Sequence, residues 1–266
     1  MMSPFLTNDC CCCSSRYHDW IDDQGGKRSY FYVDIAFVAI IAGVASPTQT
    51  TALLQHYDAR LAQIYNEYDV LPGSIWGPPS NLYPVTDKFE YACEEEEFPP
   101  SGNGNGTSGN WNMTFPMYQN GGGFFHTTGL QYAALGVAGR ADEAVDGFST
   151  LMNSGFGKVR GWAQMLWWTP GGGPSRLDPA AGGDADPLNT AALSVWGVMR
   201  AGFGIGHSLL KGVVVVHPPA KSFEGAQWNV SVLGHNACLR VGRGVTTFCN
   251  GTAISKALAN GHDAAF

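Results

Sequence analysis

Two short stretches of the sequence carry the side chains best suited to chemistry. The first is Asp19-Trp20-Ile21-Asp22, which places two carboxylates three positions apart beside a flat aromatic ring. A carboxylic acid donates a proton to a leaving group, and a carboxylate activates water. The second runs from residue 118 to residue 139, where a polar turn with three consecutive glycines leads into an apolar helix. Together they predict a site for a polar ligand.

The glycine-rich stretch predicts close contact between a ligand and the main chain. Glycine adopts backbone conformations that are closed to other residues and lets a ligand approach the peptide groups. The neighbouring polar side chains supply hydrogen-bond donors and acceptors near the start of the following helix. We therefore expect contacts with the ligand from Asn120, Gly121, Gly122, His126 and Thr127.

The composition favours neutral polar partners. Charged residues make up 14% of the 266 residues, and the net charge is -7. A nucleic-acid surface needs clustered Lys and Arg, so nucleic acid is not predicted as a partner. The apolar run at 33–44 is interrupted by Asp34 and is shorter than the roughly 20 residues of a membrane span. This run therefore predicts a buried helix, and we expect no membrane span. We also expect no metal site, because no His, Cys or Asp cluster has the spacing of metal ligands.

The hydrophobic pattern predicts helices first and strands afterwards. Ser46 is the expected N-cap of the second helix, with Pro47 at its first position. Residues 71–84 are expected to be ordered, since their aromatic side chains would be costly to expose. The predicted helices span 33–45, 47–68, 127–137, 141–152 and 187–203, with a further short helix within 155–168, and the predicted strands span 213–216, 229–233, 237–241 and 245–249.

This order predicts a helical body with a small β appendage. We expect a disordered or mispredicted N-terminus at 1–15, which holds Cys10–Cys13, a helical domain at 16–208 with a disordered loop at 100–110, a β appendage at 209–252, and a tail at 253–266. Cys238 and Cys249 flank a predicted hairpin and are candidates for a disulfide in an oxidising compartment.

Two features of the sequence bear on localisation. Asn-x-Ser/Thr sequons at Asn105, Asn112, Asn229 and Asn250 are compatible with secretion and a glycoprotein. The first twenty residues contain no continuous apolar stretch of the kind that a signal peptide needs. The sequence therefore leaves the compartment open.

The motifs, taken in order, resemble the six-hairpin (α/α)6-barrel glycosidases, nearest to the cellobiose and chitobiose phosphorylase-like group. Asp19-Trp20-Ile21-Asp22 looks like the Gly-Asp-Trp-Asn-Asp segment that supplies the catalytic acid in that group, with Ile21 as a departure. The segment from Asn120 to His126, followed by Gly139 to Ala144, looks like its Asn-Gly-Gly-aromatic-aromatic-x-His hairpin. The helix Asn189–Trp196 and the strand 212–217 look like a third feature of the family, a Thr-Gly-Thr-Ala-x-x-Trp helix followed by an apolar strand that leads to a proline.

The resemblance implies a mainly α fold: a partial (α/α)6 barrel with a small C-terminal antiparallel β appendage. It covers residues about 17 to 242. Family members are longer and carry further hairpins upstream, so the chain is expected to be truncated and to hold about half of a barrel. An open half would leave apolar helix faces exposed.

The resemblance also implies roles in the cleavage of a glycosidic bond. Inverting hydrolases place an acid and a base about 6.5–9.5 Å apart on opposite faces of the sugar. Asp22 is the preferred acid, and Asp19 is its support or a sugar contact. Candidate bases are Glu224 and Asp186. The residues implied to bind substrate are Trp20, Asn120, Gly121, Gly122, His126, Thr127, Gln164 and Thr190.

Three functions follow as expectations. The first is a glycoside hydrolase-like enzyme acting on an oligo- or disaccharide with acid assistance. The second is an inverting disaccharide phosphorylase, in which inorganic phosphate is the co-substrate and His126 and Thr190 help to bind it. The third is a non-catalytic carbohydrate-binding or scaffold protein. No cofactor other than this phosphate is predicted, and the sequence does not indicate an oligomeric state.

Overall fold

The computed structural model describes residues 6–7, 16–21, 24–67, 78–84, 123–124, 127–153, 165–166, 168–169, 173–174, 187–208, 213–232 and 235–251. Its helices are α1 (Val33–Ile41), α2 (Pro47–Glu67), α3 (Thr128–Val137), α4 (Ala141–Leu151) and α5 (Pro187–Phe203). Its strands are β1 (Leu6–Thr7), β2 (Arg16–Tyr17), β3 (Trp20–Ile21), β4 (Lys27–Arg28), β5 (Gly123–Phe124), β6 (Met165–Leu166), β7 (Trp168–Thr169), β8 (Gly173–Pro174), β9 (Ile205–Ser208), β10 (Val213–Val216), β11 (Gln227–Val232), β12 (His235–Gly242) and β13 (Val245–Phe248).

The start of α2 follows from local hydrogen bonding. The hydroxyl of Ser46 accepts a hydrogen bond from the Gln49 amide at 3.3 Å, and the Gln49 side chain accepts one from the Ser46 amide at 2.8 Å. This reciprocal pair is a capping box, which satisfies two backbone donors that the helix leaves open. Ser46 as N-cap and Pro47 as first helical residue are therefore confirmed.

Helix α1 is buried on one side only. Val33, Ala36, Phe37 and Ile40 belong to the helical core, whereas Val38 is 49% exposed and Ile35 is 37% exposed. The predicted buried helix is therefore buried along one face, while the apolar side chains on its other face are exposed. The helix also ends at Ile41 rather than at residue 45.

Helices α3 and α5 form the closest contact in the helical body. A Cβ atom added to Gly129 would lie 2.0 Å from the Leu193 carbonyl oxygen, and one added to Gly197 would lie 2.0 Å from the Gly129 carbonyl oxygen. Gly136, further along α3, faces Ala201, further along α5. Residue numbers therefore rise together along both helices, so α3 and α5 run parallel and their N-terminal ends lie on the same side.

Helix α4 lies next to both of these parallel helices. It follows α3 after a short turn in which Gly139 has a φ of 78°, and it packs against both α3 and α5. Arg140, in this turn, contacts Asp58 of α2 at 2.7 Å and Glu143 of α4 at 2.6 Å. Helix α1 also packs against α3. The five described helices thus include the two hairpins α1–α2 and α3–α4.

The C-terminal strands form two separate antiparallel pairings. Strands β9 and β10 make a hairpin, and β11, β12 and β13 make a three-stranded sheet with β12 in the centre. The sheet covers the end of α5, where Phe203, Leu239 and Val241 form a second apolar cluster. Cys238 and Cys249 are joined by a disulfide.

The fold class agrees with the sequence in its coarse form: the chain is mainly helical with a C-terminal β piece. In the segment 155–168, where a short helix was predicted, the described residues are the two-residue strand β6 and the first residue of β7. Leu82 is fully buried, as expected for an ordered 71–84 segment, of which residues 71–77 lie outside the described residues. No helix of the described chain is both long and apolar enough to cross a membrane.

Several predicted segments cannot be compared with the structure. The loop at 100–110 and the tail at 253–266 lie outside the described residues, as does most of the N-terminal segment at 1–15. Within that N-terminal segment, Leu6 and Thr7 pair as strand β1 with Tyr17 and Arg16 of β2.

Candidate functional site

Asp19 is held by an unusual set of main-chain contacts. Its Oδ2 atom accepts hydrogen bonds from the amides of Tyr30 at 2.5 Å and Phe31 at 2.9 Å. Its Oδ1 atom accepts one from the amide of Tyr32 at 2.9 Å. Both carboxylate oxygens therefore act as acceptors, which is the hydrogen-bonding pattern of an ionised carboxylate.

The three amides form a concave anion-binding nest at the start of α1. Phe31 has a φ of 55°, a left-handed conformation that is rare for a bulky residue. This conformation turns successive N–H groups toward one point, where an anion binds. The nest directly precedes α1, so the Asp19 carboxylate also lies near the positive end of the helix dipole. The backbone strain at Phe31 is offset by the contacts that surround it.

Further contacts close the loop around Asp19 into a hairpin. Strands β3 and β4 pair Trp20 with Arg28 and Ile21 with Lys27. The His18 ring contacts the Ser29 hydroxyl at 2.6 Å, with Nδ1 as the bonded atom. Residues 22–26 connect the two strands, so the predicted acid Asp22 belongs in sequence to the tip of this hairpin. Asp22 itself lies outside the described residues.

The segment 78–84 is hydrogen-bonded to the residues that form the nest and the start of α1. The amide of Val33 donates to the Ser80 carbonyl at 3.1 Å, and the amide of Leu82 donates to the Phe31 carbonyl at 3.1 Å. Asn81 is fully buried and donates through Nδ2 to the Tyr83 carbonyl at 2.7 Å. Sequence reasoning missed this role, because the Ser80-Asn81 pair resembles an ordinary loop and its partners lie about fifty residues earlier.

Helix α2 fixes the same segment. The Tyr83 hydroxyl contacts Nε2 of His56 at 2.9 Å, and the Arg60 side chain donates to the Leu82 carbonyl at 3.1 Å. The Arg60 guanidinium also lies over the Tyr83 ring, 5.1 Å from its centre. Asp19 thus belongs to an assembly that extends from the hairpin through 78–84 to α2.

The start of α3 carries buried hydroxyls. Thr127 and Thr128 are each 2% exposed, and Ser194 of α5 is fully buried. Among the described residues, neither the Thr128 nor the Ser194 hydroxyl has a hydrogen-bond partner. A Cβ on Gly129, next to Thr128, would lie 2.9 Å from the Ser194 amide nitrogen. Buried polar groups in folded proteins are generally hydrogen-bonded, often to an internal water.

The predicted substrate-binding residues are only partly visible. Thr127 precedes α3 and is covered by protein. Trp20 lies in β3 and Thr190 in α5, but their side chains are not among those described. Asn120, Gly121, Gly122, His126, Gln164 and the candidate base Asp186 lie outside the described residues altogether. Of the predicted catalytic and substrate-binding residues, the structure therefore describes the side chains of Asp19 and Thr127.

Glu224, the other candidate base, lies in the C-terminal β region. Its carboxylate accepts hydrogen bonds from the amides of Arg243 at 2.6 Å and Gly244 at 3.3 Å. Arg243 has a φ of 53° in the turn between β12 and β13. These contacts hold the turn, so in this structure Glu224 acts as a structural support of the sheet.

A second group of ionisable residues lies between α3 and α5. Arg200 is 5% exposed and its guanidinium stacks on the Trp196 ring at 4.6 Å, and burial lowers the pKa of Arg200 to about 10. The His217 ring lies next to Gly136 of α3. Burial lowers the pKa of His217 to about 4, and the nearby Arg200 charge acts in the same direction. Both groups lack the exposure expected of a proton-transfer residue.

The residues described by the structure contain no cluster of His, Cys, Asp and Glu that could hold a metal ion. Comparison of the sequence with protein-family models gives no match. Comparison with curated proteins gives no match either.

Proposed function

We propose that the chain is a carbohydrate-active protein of the glycoside hydrolase type, in which Asp22 protonates the leaving oxygen and Asp19 positions the loop that carries it. The observation that carries the proposal is the nest around Asp19. Because both oxygens of Asp19 accept hydrogen bonds from three main-chain amides, we assign proton donation to the other carboxylate of the motif. Asp22 lies three residues further on.

The geometry of the hairpin supports separate roles for Asp19 as the positioning residue and Asp22 as the acid. Asp19 is fixed at the base, and the register of β3 and β4 defines a five-residue connection that includes Asp22 and Asp23. A general acid needs a fixed position and a protonated state. Under this proposal, the anchored base of the hairpin supplies the first condition.

The arrangement of α3 and α5 bears on the expected partial barrel. The parallel arrangement of α3 and α5 agrees with helices that line one side of a partial barrel. Under this proposal, the N-terminal ends of both helices face the sugar.

The decisive experiment is a survey of aryl glycosides and disaccharides with the purified chain, with and without inorganic phosphate. For an active substrate, Asp22→Asn should lower kcat by about 10²–10⁴-fold, the usual contribution of a general acid. Asp23→Asn, at the neighbouring position, is the matched control and should retain activity within a few-fold. The loss in Asp22→Asn should shrink for a dinitrophenyl leaving group, which departs without protonation.

The possible outcomes separate the candidate functions. Sugar phosphate released only in the presence of phosphate would identify a phosphorylase. Full turnover by Asp22→Asn would show that Asp22 is not the acid. If no glycoside were cleaved while a sugar raised the melting temperature, the chain would be a binding protein instead.

A further inference from the structure

Two asparagine sequons lie on the C-terminal sheet. Asn229, in Asn229-Val230-Ser231, belongs to β11, and Asn250, in Asn250-Gly251-Thr252, follows β13 by two residues. Both asparagines are exposed. Attachment of an oligosaccharide requires this three-residue pattern and an accessible surface position. The two sequons therefore meet the sequence requirement and lie on accessible surface.

The face of the sheet decides whether a large polar group fits there. In β12, the side chains of Ala237, Leu239 and Val241 are buried against the core, while those between them point away from it. Asn229 pairs directly with Cys238, which is one of the outward positions. Directly opposed residues of an antiparallel pair share a face. A glycan on Asn229 would thus displace no core contact.

The disulfide gives independent evidence about the environment. Cys238 and Cys249 are bonded on this outward face, and Cys249 immediately precedes Asn250. Disulfides form and persist in oxidising compartments such as the secretory pathway. Attachment of glycans to Asn-x-Ser/Thr takes place in secreted proteins. The disulfide and the two sequons therefore indicate the same environment by separate chemistry.

The sheet has two edges that need protection. Strands β11 and β13 are its outer strands, and within the described part of the chain neither pairs with a further strand. Val245, in β13, is also 55% exposed. Open edges present unpaired N–H and C=O groups that recruit strands from other molecules, and proteins commonly block them. One sequon lies in the first edge strand and the other directly beyond the second.

We infer that Asn229 and Asn250 carry N-linked glycans, which shield the two edges of the sheet from pairing with other chains. In the modification, Nδ2 of the asparagine forms a bond to the anomeric carbon of an oligosaccharide donated by a polyprenyl diphosphate. The bond from that carbon to the diphosphate oxygen breaks, the lipid diphosphate leaves, and the amide nitrogen loses one proton. This inference is independent of the proposed catalytic activity.

The first test measures occupancy. The full chain is expressed with a secretion leader in a eukaryotic host, and peptides containing Asn229 and Asn250 are examined by mass spectrometry before and after removal of N-glycans. Both should carry glycan. Ser231→Ala and Thr252→Ala should each abolish modification of their own sequon, whereas Ser231→Thr and Thr252→Ser, which keep the hydroxyl, should retain it. Translation into microsomes provides the same comparison if a variant is not secreted. Unmodified Asn229 and Asn250 in both systems would overturn the inference.

The second test measures edge protection. The double variant Ser231→Ala/Thr252→Ala should aggregate several-fold faster than the glycosylated chain, measured by light scattering at equal concentration. The control is Ser231→Thr/Thr252→Ser, which should aggregate at the wild-type rate. Equal aggregation rates with and without the two glycans would show that they do not protect the edges.

Discussion

The carboxylate of Asp19 lies where a main-chain nest and the start of α1 meet, and this position makes it a structural anion. Asp19→Asn keeps one acceptor oxygen and places an NH₂ group against the remaining amide donors. We expect the free energy of unfolding to fall by about 1–3 kcal/mol, because at least one amide loses its partner. Urea denaturation measures this change.

Asp34→Asn provides the control for Asp19. Asp34 lies in the first turn of α1, and its carboxylate accepts a hydrogen bond from the amide of Ile35 at an exposed position. Removing its charge should change the free energy of unfolding by less than about 1 kcal/mol. Equal effects of the two variants would indicate that the nest contributes nothing beyond the helix dipole.

The lowered pKa of His217 predicts that the free energy of unfolding depends on pH. Its pKa is about 4 in the folded protein against 6.5 for the free side chain, so the unfolded chain binds the proton more readily. The stability contributed by neutral His217 is complete above pH 6.5 and is lost progressively as the pH falls toward 4. A shift of this size corresponds to about 3 kcal/mol.

The comparison with His217→Gln isolates this contribution. Urea denaturation at pH 7.5 and at pH 4.5 should show a smaller loss of stability in the variant than in the wild-type chain, because glutamine does not titrate. Arg200 is the charged neighbour whose repulsion strengthens the effect. An identical pH dependence in both chains would mean that His217 is protonated with its ordinary pKa.

At the scale of single residues, the sequence identified the important residues more accurately than it identified their roles. The Asp19–Asp22 motif was visible because carboxylates beside a tryptophan are uncommon. The nest was not, since it depends on a positive φ at Phe31, for which an aromatic side chain gives no signal. The role of Glu224 was equally hidden, because the amides that it binds lie 19 and 20 residues away in sequence.

Among the elements, α3, α4 and α5 followed local rules and were predicted closely, whereas α1 ends at Ile41 rather than at residue 45. Ser46, Pro47 and Gln49 specify the start of α2 through contacts within one turn. The apolar spacing located α3, α4 and α5 to within one residue at each end. Their packing could not be predicted, because the close approach of α3 and α5 depends on two glycines almost seventy residues apart.

Gly197 offers a direct test of this packing. Replacement of an exposed helical glycine by alanine stabilises a helix by up to about 1 kcal/mol. In Gly197→Ala, however, the new Cβ would lie 2.0 Å from the Gly129 carbonyl oxygen, so the helices have to separate. We expect a net loss of about 1–3 kcal/mol in the free energy of unfolding. Thermal and urea denaturation both report it.

Gly147→Ala in α4 is the matched control for Gly197. There the nearest atom is Cε1 of the Tyr132 ring, at 3.1 Å, and a ring edge moves more easily than a backbone carbonyl. Its stability should stay within about 1 kcal/mol of the wild-type value. If Gly197→Ala were as stable as Gly147→Ala, the parallel contact between α3 and α5 would be looser than the structure indicates.

At the scale of the whole molecule, the chain has a helical core and a smaller cluster beneath the C-terminal sheet. The two are joined at the end of α5, where Phe203 packs on Phe223 and Trp228. The sequence predicted this division, since β-branched runs replace the helical pattern after residue 209. It did not predict that Thr246 would donate a hydrogen bond to the Phe203 carbonyl at 2.5 Å and so fasten the sheet to the helix.

The disulfide should stabilise the sheet more than the helical core. It links β12 to the residue after β13, and disulfides of this kind contribute about 2–4 kcal/mol by restricting the unfolded chain. In Cys238→Ala/Cys249→Ala, hydrogen exchange should accelerate across residues 227–248 and change little in α3. Because the sheet has its own apolar cluster, its local opening need not open the contact between α3 and α5. Equal acceleration in both regions would instead show that sheet and helices unfold as one cooperative unit.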